Sequence, residues 1–219
     1  SAGTERMVVK FAGKSLMGKA RERPDLVKKV LKKTKKDGVA ATVRAVLARL
    51  DEPLPLGYSA AGEVIAVGRG LEGSFRVGQR VAVAGAGLAN HAELNVIPAN
   101  LAAHIPDDVT YDEACFGTLT SIAMHAVRNI NQSLGDFVAV VGAGLLGQLI
   151  ISLLSLSGIR ILALDYNISR LDIAKQMGAE ATFDLGSKSE NLEATISALS
   201  DGRGMDGVII MGRLMDREQ

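Results

Sequence analysis

Phe137-Val138-Ala139-Val140-Val141 runs directly into Gly142-Ala143-Gly144-Leu145-Leu146-Gly147. An all-apolar pentapeptide followed by three glycines at that spacing predicts a strand buried on both faces, a tight turn and the opening of a helix. Each glycine has its own expected duty. Gly142 permits the turn, Gly144 lets a pyrophosphate approach the backbone with no Cβ in the way, and Gly147 lets the helix pack closely on the sheet. Phosphate oxygens would then lie against free N–H groups at the positive end of the helix, around Leu145 and Leu146. The uncharged stretch between Asp136 and Arg160 is also long enough to span a bilayer. The glycines and Gln148 interrupt it in the strand–turn–helix pattern, so no membrane span is expected.

Downstream, residues 161–164 read as a second buried strand ending on Asp165, 18 residues beyond Gly147. A carboxylate there can accept hydrogen bonds from ribose hydroxyls and repel a 2′-phosphate, which favours NAD over NADP. Arg170 is near enough to receive such a phosphate and weaken that preference; otherwise it is a solvated helix residue. Residues 169–177 and 191–199 read as helices, 181–183 and 207–210 as strands. Strand and helix alternating at this spacing imply an α/β fold with a Rossmann-type parallel sheet.

Upstream, the chain turns helical at Tyr111, with Asp112 and Glu113 favouring a helix start. Residues 58–110 look β-rich, with short strands at 64–67 and 81–84 and extended pieces at 95–98 and 103–106. Residues 24–51 look like two short helices. The division expected is 1–110 as a β domain carrying a helical insert at 6–52, and 111–219 as a partial Rossmann domain.

Composition excludes several classes of function. Lys+Arg 25 against Asp+Glu 24 leaves a net charge of +1 in 219 residues, too balanced for a nucleic-acid wrap. One cysteine excludes a disulfide framework and a cysteine-rich zinc cage. No tryptophan, three tyrosines and five phenylalanines make a poor base-stacking platform. Residues 1–10 lack the apolar core of a secretory signal, so a cytoplasmic location is expected.

The sequence resembles the medium-chain dehydrogenase/reductase superfamily, the zinc-type alcohol dehydrogenases and quinone reductases. The resemblance rests on Gly57-Tyr58-Ser59-Ala60-Ala61-Gly62-Glu63-Val64, Val77-Gly78-Gln79-Arg80-Val81 and His91-Ala92-Glu93-Leu94. It continues through Ile105-Pro106-Asp107, Asp112-Glu113-Ala114, the glycine loop, Asp165, and Arg170-Leu171-Asp172-Ile173-Ala174-Lys175 with Gly178-Ala179. It implies a GroES-like β domain preceding the Rossmann domain. More closely, it is similar to the bacterial bi-domain branch, which implies a second oxidoreductase domain in the longer protein. A homo-oligomer is compatible with it.

Members with catalytic zinc carry Cys-Gly-Ser-Asp near the start and later Gly-His-Glu. The matching stretches here are Ala2-Gly3-Thr4-Glu5 and Gly57-Tyr58-Ser59. Ala2 cannot bind zinc and a neutral phenol is a poor ligand. His91, His104 and His125 show no close ligand spacing, and Cys115 alone cannot hold a tetrahedral site. No zinc is therefore expected. The resemblance places Tyr58 at the former ligand position as a proton donor, Thr4 at the proton-relay hydroxyl and Thr120 near the nicotinamide. Tyr58 packing the cleft, Thr4 capping a turn and Thr120 bonding its own helix are the structural alternatives.

The insert holds twelve Lys/Arg against three acids between Lys14 and Arg49. It reads either as solvated helices or as a lid attracting a small anionic substrate. Only nine residues follow 207–210, and the chain begins where the β domain should be under way. A chain truncated at both ends is expected. The function expected is zinc-independent, NAD(P)-dependent oxidation or reduction of an alcohol or carbonyl. The alternatives are a non-catalytic dinucleotide binder and an adenosylmethionine-dependent methyltransferase, which also uses a glycine turn and a strand-end acid.

Overall fold

The computed structural model describes residues 3–13, 55–187 and 191–211. Ala2, the helices expected in 24–51 and the basic run at 14–49 fall outside them. The chain divides into two compact units, Ser1–Ala60 with Ala84–Ala102, and Ala61–Val83 with Ala103–Gln219.

Helix α1 (Gly3–Ala12) comes first. In the same unit the buried Glu5 carboxylate meets His91, Oε1 lying 3.0 Å from Nε2. Strands β1 (Ser59–Glu63), β2 (Arg80–Ala84) and β3 (Ala102–His104) form a sheet in the order β1-β2-β3.

One sequence expectation fails here for a physical reason. The strand expected at 64–67 lies earlier, at β1. The Val64 N–H donates to Gln79 O at 2.9 Å and Val64 O accepts from the Gly78 N–H at 2.8 Å. Gly78 then turns the partner segment away with φ +84°, and Ile65 beyond it is exposed. Pairing partner and turn position, not β-branching, set the strand. Residues 95–98, expected only as an extended piece, belong to no strand, and Pro98 is extended at φ −60° and ψ 142°. Asn95 Oδ1 accepts from the Asn90 N–H at 3.1 Å and its Nδ2 donates to Asn90 O at 3.2 Å. The Asn95 side chain bonds the Asn90 backbone locally, and Val96 stands 91% exposed.

The C-terminal part follows the expected alternation. Helices α2 (Tyr111–Ala114) and α3 (Gly117–Asn129) lead into β4 (Phe137–Val141), α4 (Leu145–Leu156) and β5 (Arg160–Asp165). Helix α5 (Ile168–Gln176), β6 (Ala181–Asp184), α6 (Leu192–Leu199) and β7 (Gly207–Ile210) complete it. A capping box starts α2: the Thr110 hydroxyl accepts from the Glu113 N–H and the Glu113 carboxylate accepts from the Thr110 N–H.

The sheet is parallel, in the order β6-β5-β4-β7, with Val138 beside Ile161 and Gly207. Numbered within this sheet, that is 3-2-1-4, the first part of the doubly wound dinucleotide fold. The apolar runs are continuous because both faces are covered. Val138, Val140, Ile161 and Ala163 pack with Ile150, Ile151 and Leu154 of α4. Phe137, Ala139, Leu162 and Leu164 pack on the other face with Leu192, Ile196 and Leu199 of α6. Each fully buried branched side chain is worth roughly 1.5–3 kcal/mol, which fixes β4 at the centre and the loop after it.

A clamp ties the near end of this sheet. Arg160 Nε and Nη2 donate to Glu180 at 2.8 and 2.7 Å, Nη2 also donates to Leu199 O at 2.9 Å, and the guanidinium lies 4.9 Å from the Phe137 ring centroid. The Arg160 hydrogen bonds hold the Glu180 carboxyl below its ordinary pKa. A lowered folded-state pKa adds stability above the unfolded value, ~4.3, and that stability is lost as pH falls through the folded value. Both groups are partly solvated, so the effect is small. Glu180→Gln is expected to lower the melting temperature by about 1–3 °C at neutral pH. The gap from the parent should close on acidification to about pH 3, as thermal melts at both pH values would show.

Candidate dinucleotide-binding site

Strand β4 delivers the glycine loop to the C-terminal edge of the sheet. Gly142 takes φ +97°, which a side chain would strain, and its N–H donates to Leu164 O at 2.7 Å. Gly147 is buried in α4, where an added Cβ would stand 2.0 Å from Gly142 O. Glycine there is a condition of helix-on-strand packing. Gly144 differs from both. Its backbone is extended, with φ −75° and ψ −167°, and an added Cβ would meet nothing within 4 Å.

Gly144 is also the N-cap of α4 and supplies no side-chain cap. The Gln148 N–H donates to Gly144 O at 2.8 Å as the helical ladder begins. The N–H groups of Leu145, Leu146 and Gly147 precede that bond and carry the positive end of the helix dipole. With the open space at Gly144, this gives an anion a bare main-chain surface to approach.

Asp165 ends β5 beside this loop and is only 7% exposed. Its Oδ2 accepts from the Ala143 N–H at 2.8 Å and its Oδ1 from the Asn167 N–H at 2.9 Å. Arg170 Nη1 lies 3.6 Å from Oδ2. The carboxylate thus braces the glycine loop. Two of its roughly four acceptor sites are used, which leaves capacity for hydroxyl donors. Arg170 is placed in the first turn of α5 by Asn167, whose Oδ1 accepts the Arg170 N–H at 3.4 Å.

The structure therefore brings Gly142, Gly144, Leu145, Leu146, Gly147, Asp165 and Arg170 to one corner of the second unit. Thr120 lies half-buried in α3 of that unit, its N–H donating to Phe116 O at 2.8 Å. Tyr58 and Thr4 belong to the first unit. Thr4 is in the first turn of α1. Tyr58 is half-buried, and its carbonyl accepts from the Gly85 N–H at 2.9 Å. The neighbouring Gly57 is sterically required, since a Cβ there would sit 2.6 Å from His91 N. Among the described residues, no three or more His, Cys, Asp or Glu gather to hold a metal ion. No helix among them is long and apolar enough to cross a membrane.

Two contributors are not apparent from the sequence. Gln148 Nε2 donates to Ala143 O at 2.9 Å and to Arg170 O at 2.8 Å. Asn167 contributes its main-chain N–H to Asp165 and its side chain to the α5 cap. The one available signal is a lone polar residue in an otherwise apolar turn, at Gln148.

The (R,R)-butanediol dehydrogenase of Bacillus subtilis is 28% identical over 179 residues, covering 70% of this chain and 50% of that protein. The solved 2R,3R-butanediol dehydrogenase from Bacillus subtilis superposes with a TM-score of 0.60 at 26% identity, over 73% of this chain and 55% of that one. The chain is a homologue of the zinc-type medium-chain dehydrogenase/reductases. A mycobacterial protein solved in complex with NADPH gives a TM-score of 0.61 at 26% identity, over 74% of this chain and 51% of that one. No protein-family profile matches. The chain spans about half the length of the curated relatives it matches. Its α/β fold is of the type those dehydrogenases have, a Rossmann sheet preceded by GroES-like β structure.

Proposed function

We propose that this chain binds a nicotinamide dinucleotide, NAD in preference to NADP, as part of an oxidoreductase that interconverts an alcohol and a carbonyl without catalytic zinc. The observation that carries this reading is the contrast within the glycine loop. The fold itself requires glycine at 142 and 147, whereas at 144 only something arriving from outside would meet a side chain. A pyrophosphate seated there would receive the N–H groups of Leu145 and Leu146. The ribose would face Asp165, whose fixed negative charge disfavours a 2′-phosphate, and Arg170 is already drawn toward that carboxylate.

When bound, the dinucleotide supplies or accepts a hydride at the substrate carbon. The proton at the substrate oxygen falls to the chain's own residues. In this reading Tyr58 gives or takes it, Thr4 relays it through its hydroxyl, and the Thr120 hydroxyl contacts the cofactor. Zinc is left out of this reading because the resemblance implies ligand positions at Ala2 and Tyr58, where alanine offers no ligand atom and a neutral phenol is a poor one. The alcohol chemistry rests on relatives such as the butanediol dehydrogenase.

Thermal melts of the 219-residue chain with NADH, NADPH and adenosylmethionine test the class of ligand. NADH at 100 times its Kd should add about 2.7 kcal/mol, a rise of roughly 5–10 °C. NADPH at the same concentration should do less. Stabilisation by adenosylmethionine alone would instead favour a methyltransferase.

A further inference from the structure

We propose that Gln148 is a positioning residue that sets cofactor selectivity, by locking the glycine loop to the helix that carries Arg170. The inference rests on the dinucleotide reading above and assigns the control of its selectivity. Nε2 of Gln148 reaches Ala143 O and Arg170 O at 2.9 and 2.8 Å. The Ala143 N–H reaches Asp165 Oδ2, Asp165 Oδ1 takes the Asn167 N–H, and Asn167 Oδ1 takes the Arg170 N–H. These bonds close a ring through the Ala143 peptide, Gln148, Arg170, Asn167 and Asp165. Both polar groups of Ala143 in the glycine loop are pinned, the N–H by the acid facing the ribose and the carbonyl by Gln148.

The ring makes the acid and the arginine one unit. With Gln148 in place, the Arg170 backbone is held over the loop and its guanidinium stays on Asp165. Without it, the first turn of α5 can move, and the Arg170 guanidinium can leave the carboxylate for a 2′-phosphate, offsetting the repulsion that the acid exerts on it. The bridge is not built for stability alone. Gln148 Oε1 is buried without a hydrogen-bond partner, an orphaned acceptor that an apolar residue of the same length would not leave. Removing the side-chain amide strands Ala143 O and leaves Arg170 O to water, but it also removes the unpaired Oε1, so the gain offsets most of the loss and orientation should change more than stability.

The test is Gln148→Met in the 219-residue chain, with Kd for NADH and NADPH by fluorescence titration and amide exchange at Ala143 by NMR. NADH should weaken about 10-fold and NADPH no more than about 2-fold. The Ala143 amide should exchange about 10-fold faster while Val140 in β4 is unchanged, with the melting temperature within about 3 °C. Equal weakening of both cofactors, or an unaltered selectivity ratio, overturns the proposal. Unchanged exchange at Ala143 overturns it even if the parent binds neither cofactor, whereas failure of the parent to bind either one overturns the dinucleotide reading and the selectivity role with it. Gln148→Leu guards against a packing fault peculiar to methionine. If neither variant folds, the bridge is a stability element and the selectivity role falls.

Discussion

Gly147→Ala is expected to lower the melting temperature by roughly 6–12 °C and to abolish dinucleotide binding. The new Cβ would stand 2.0 Å from Gly142 O and 3.0 Å from Gly142 C. Both are backbone atoms of a residue already held at φ +97° and bonded to Leu164 O, so no side-chain rotation relieves the clash. Overpacking of this kind costs about 1–3 kcal/mol and occasionally more; the rigid neighbour puts this case at about 3 kcal/mol or above. At ~2–4 °C per kcal/mol for a chain of this size, the shift follows. Gly144→Ala is the control. Its Cβ enters open space, so the melt should move by no more than about 2 °C while NADH affinity falls at least ~10-fold. Calorimetric melts and NADH titrations on both variants separate fold from site. NADH binding that survives Gly144→Ala intact would show that no phosphate approaches there.

Legibility of the fold depended on how much of each element is decided locally. Strands β4 and β5 could be read because the inner strands of a parallel sheet are buried on both faces and demand apolar residues, and helix α6 because Asn191 precedes its first turn, where its side chain accepts the Glu193 and Ala194 N–H groups. Strand β1 could not. Ser59, Ala60, Ala61 and Gly62 have little strand preference and pair only because β2 and the Gly78 turn place a partner beside them. At the site, the duties of Gly142 and Gly147 were readable from spacing, because turn geometry and helix packing fix them. The duty of Gly144 was readable from the same spacing, and the coordinates add the open space where a Cβ would stand. Asp165 was legible as an acid at a strand end. Its second task, bracing the Ala143 N–H, depends on a partner 22 residues away, as does the Gln148 bridge to Arg170 O. Such distant pairings leave no periodic trace in a single sequence.

Asp165→Asn is expected to reverse the cofactor preference, with NADPH binding more tightly than NADH. The parent carboxylate makes two demands on its surroundings at once. It accepts two main-chain N–H groups, and it carries a nearly buried negative charge that faces the ribose in the proposed complex. Asparagine keeps one acceptor oxygen, but its NH₂ must then confront either the Ala143 or the Asn167 N–H. Leaving one of those donors unpaired costs about 1–3 kcal/mol, which predicts a fall in melting temperature of roughly 2–12 °C. The ribose hydroxyls lose a charged acceptor at the same step, and hydrogen bonds to charged groups are worth ~1.5–3 kcal/mol. NADH affinity should therefore drop at least ~10-fold. NADPH moves the other way because the repelling charge is gone and Arg170, released from its partner at 3.6 Å, can turn to the 2′-phosphate in a charge-assisted contact. Asp165→Asn with Arg170→Ala should lose that gain and bind both cofactors weakly. Isothermal titration of the parent and both variants decides between the two roles of the acid. An Asp165→Asn chain that still prefers NADH would mean that the carboxylate serves the glycine loop alone and does not read the ribose.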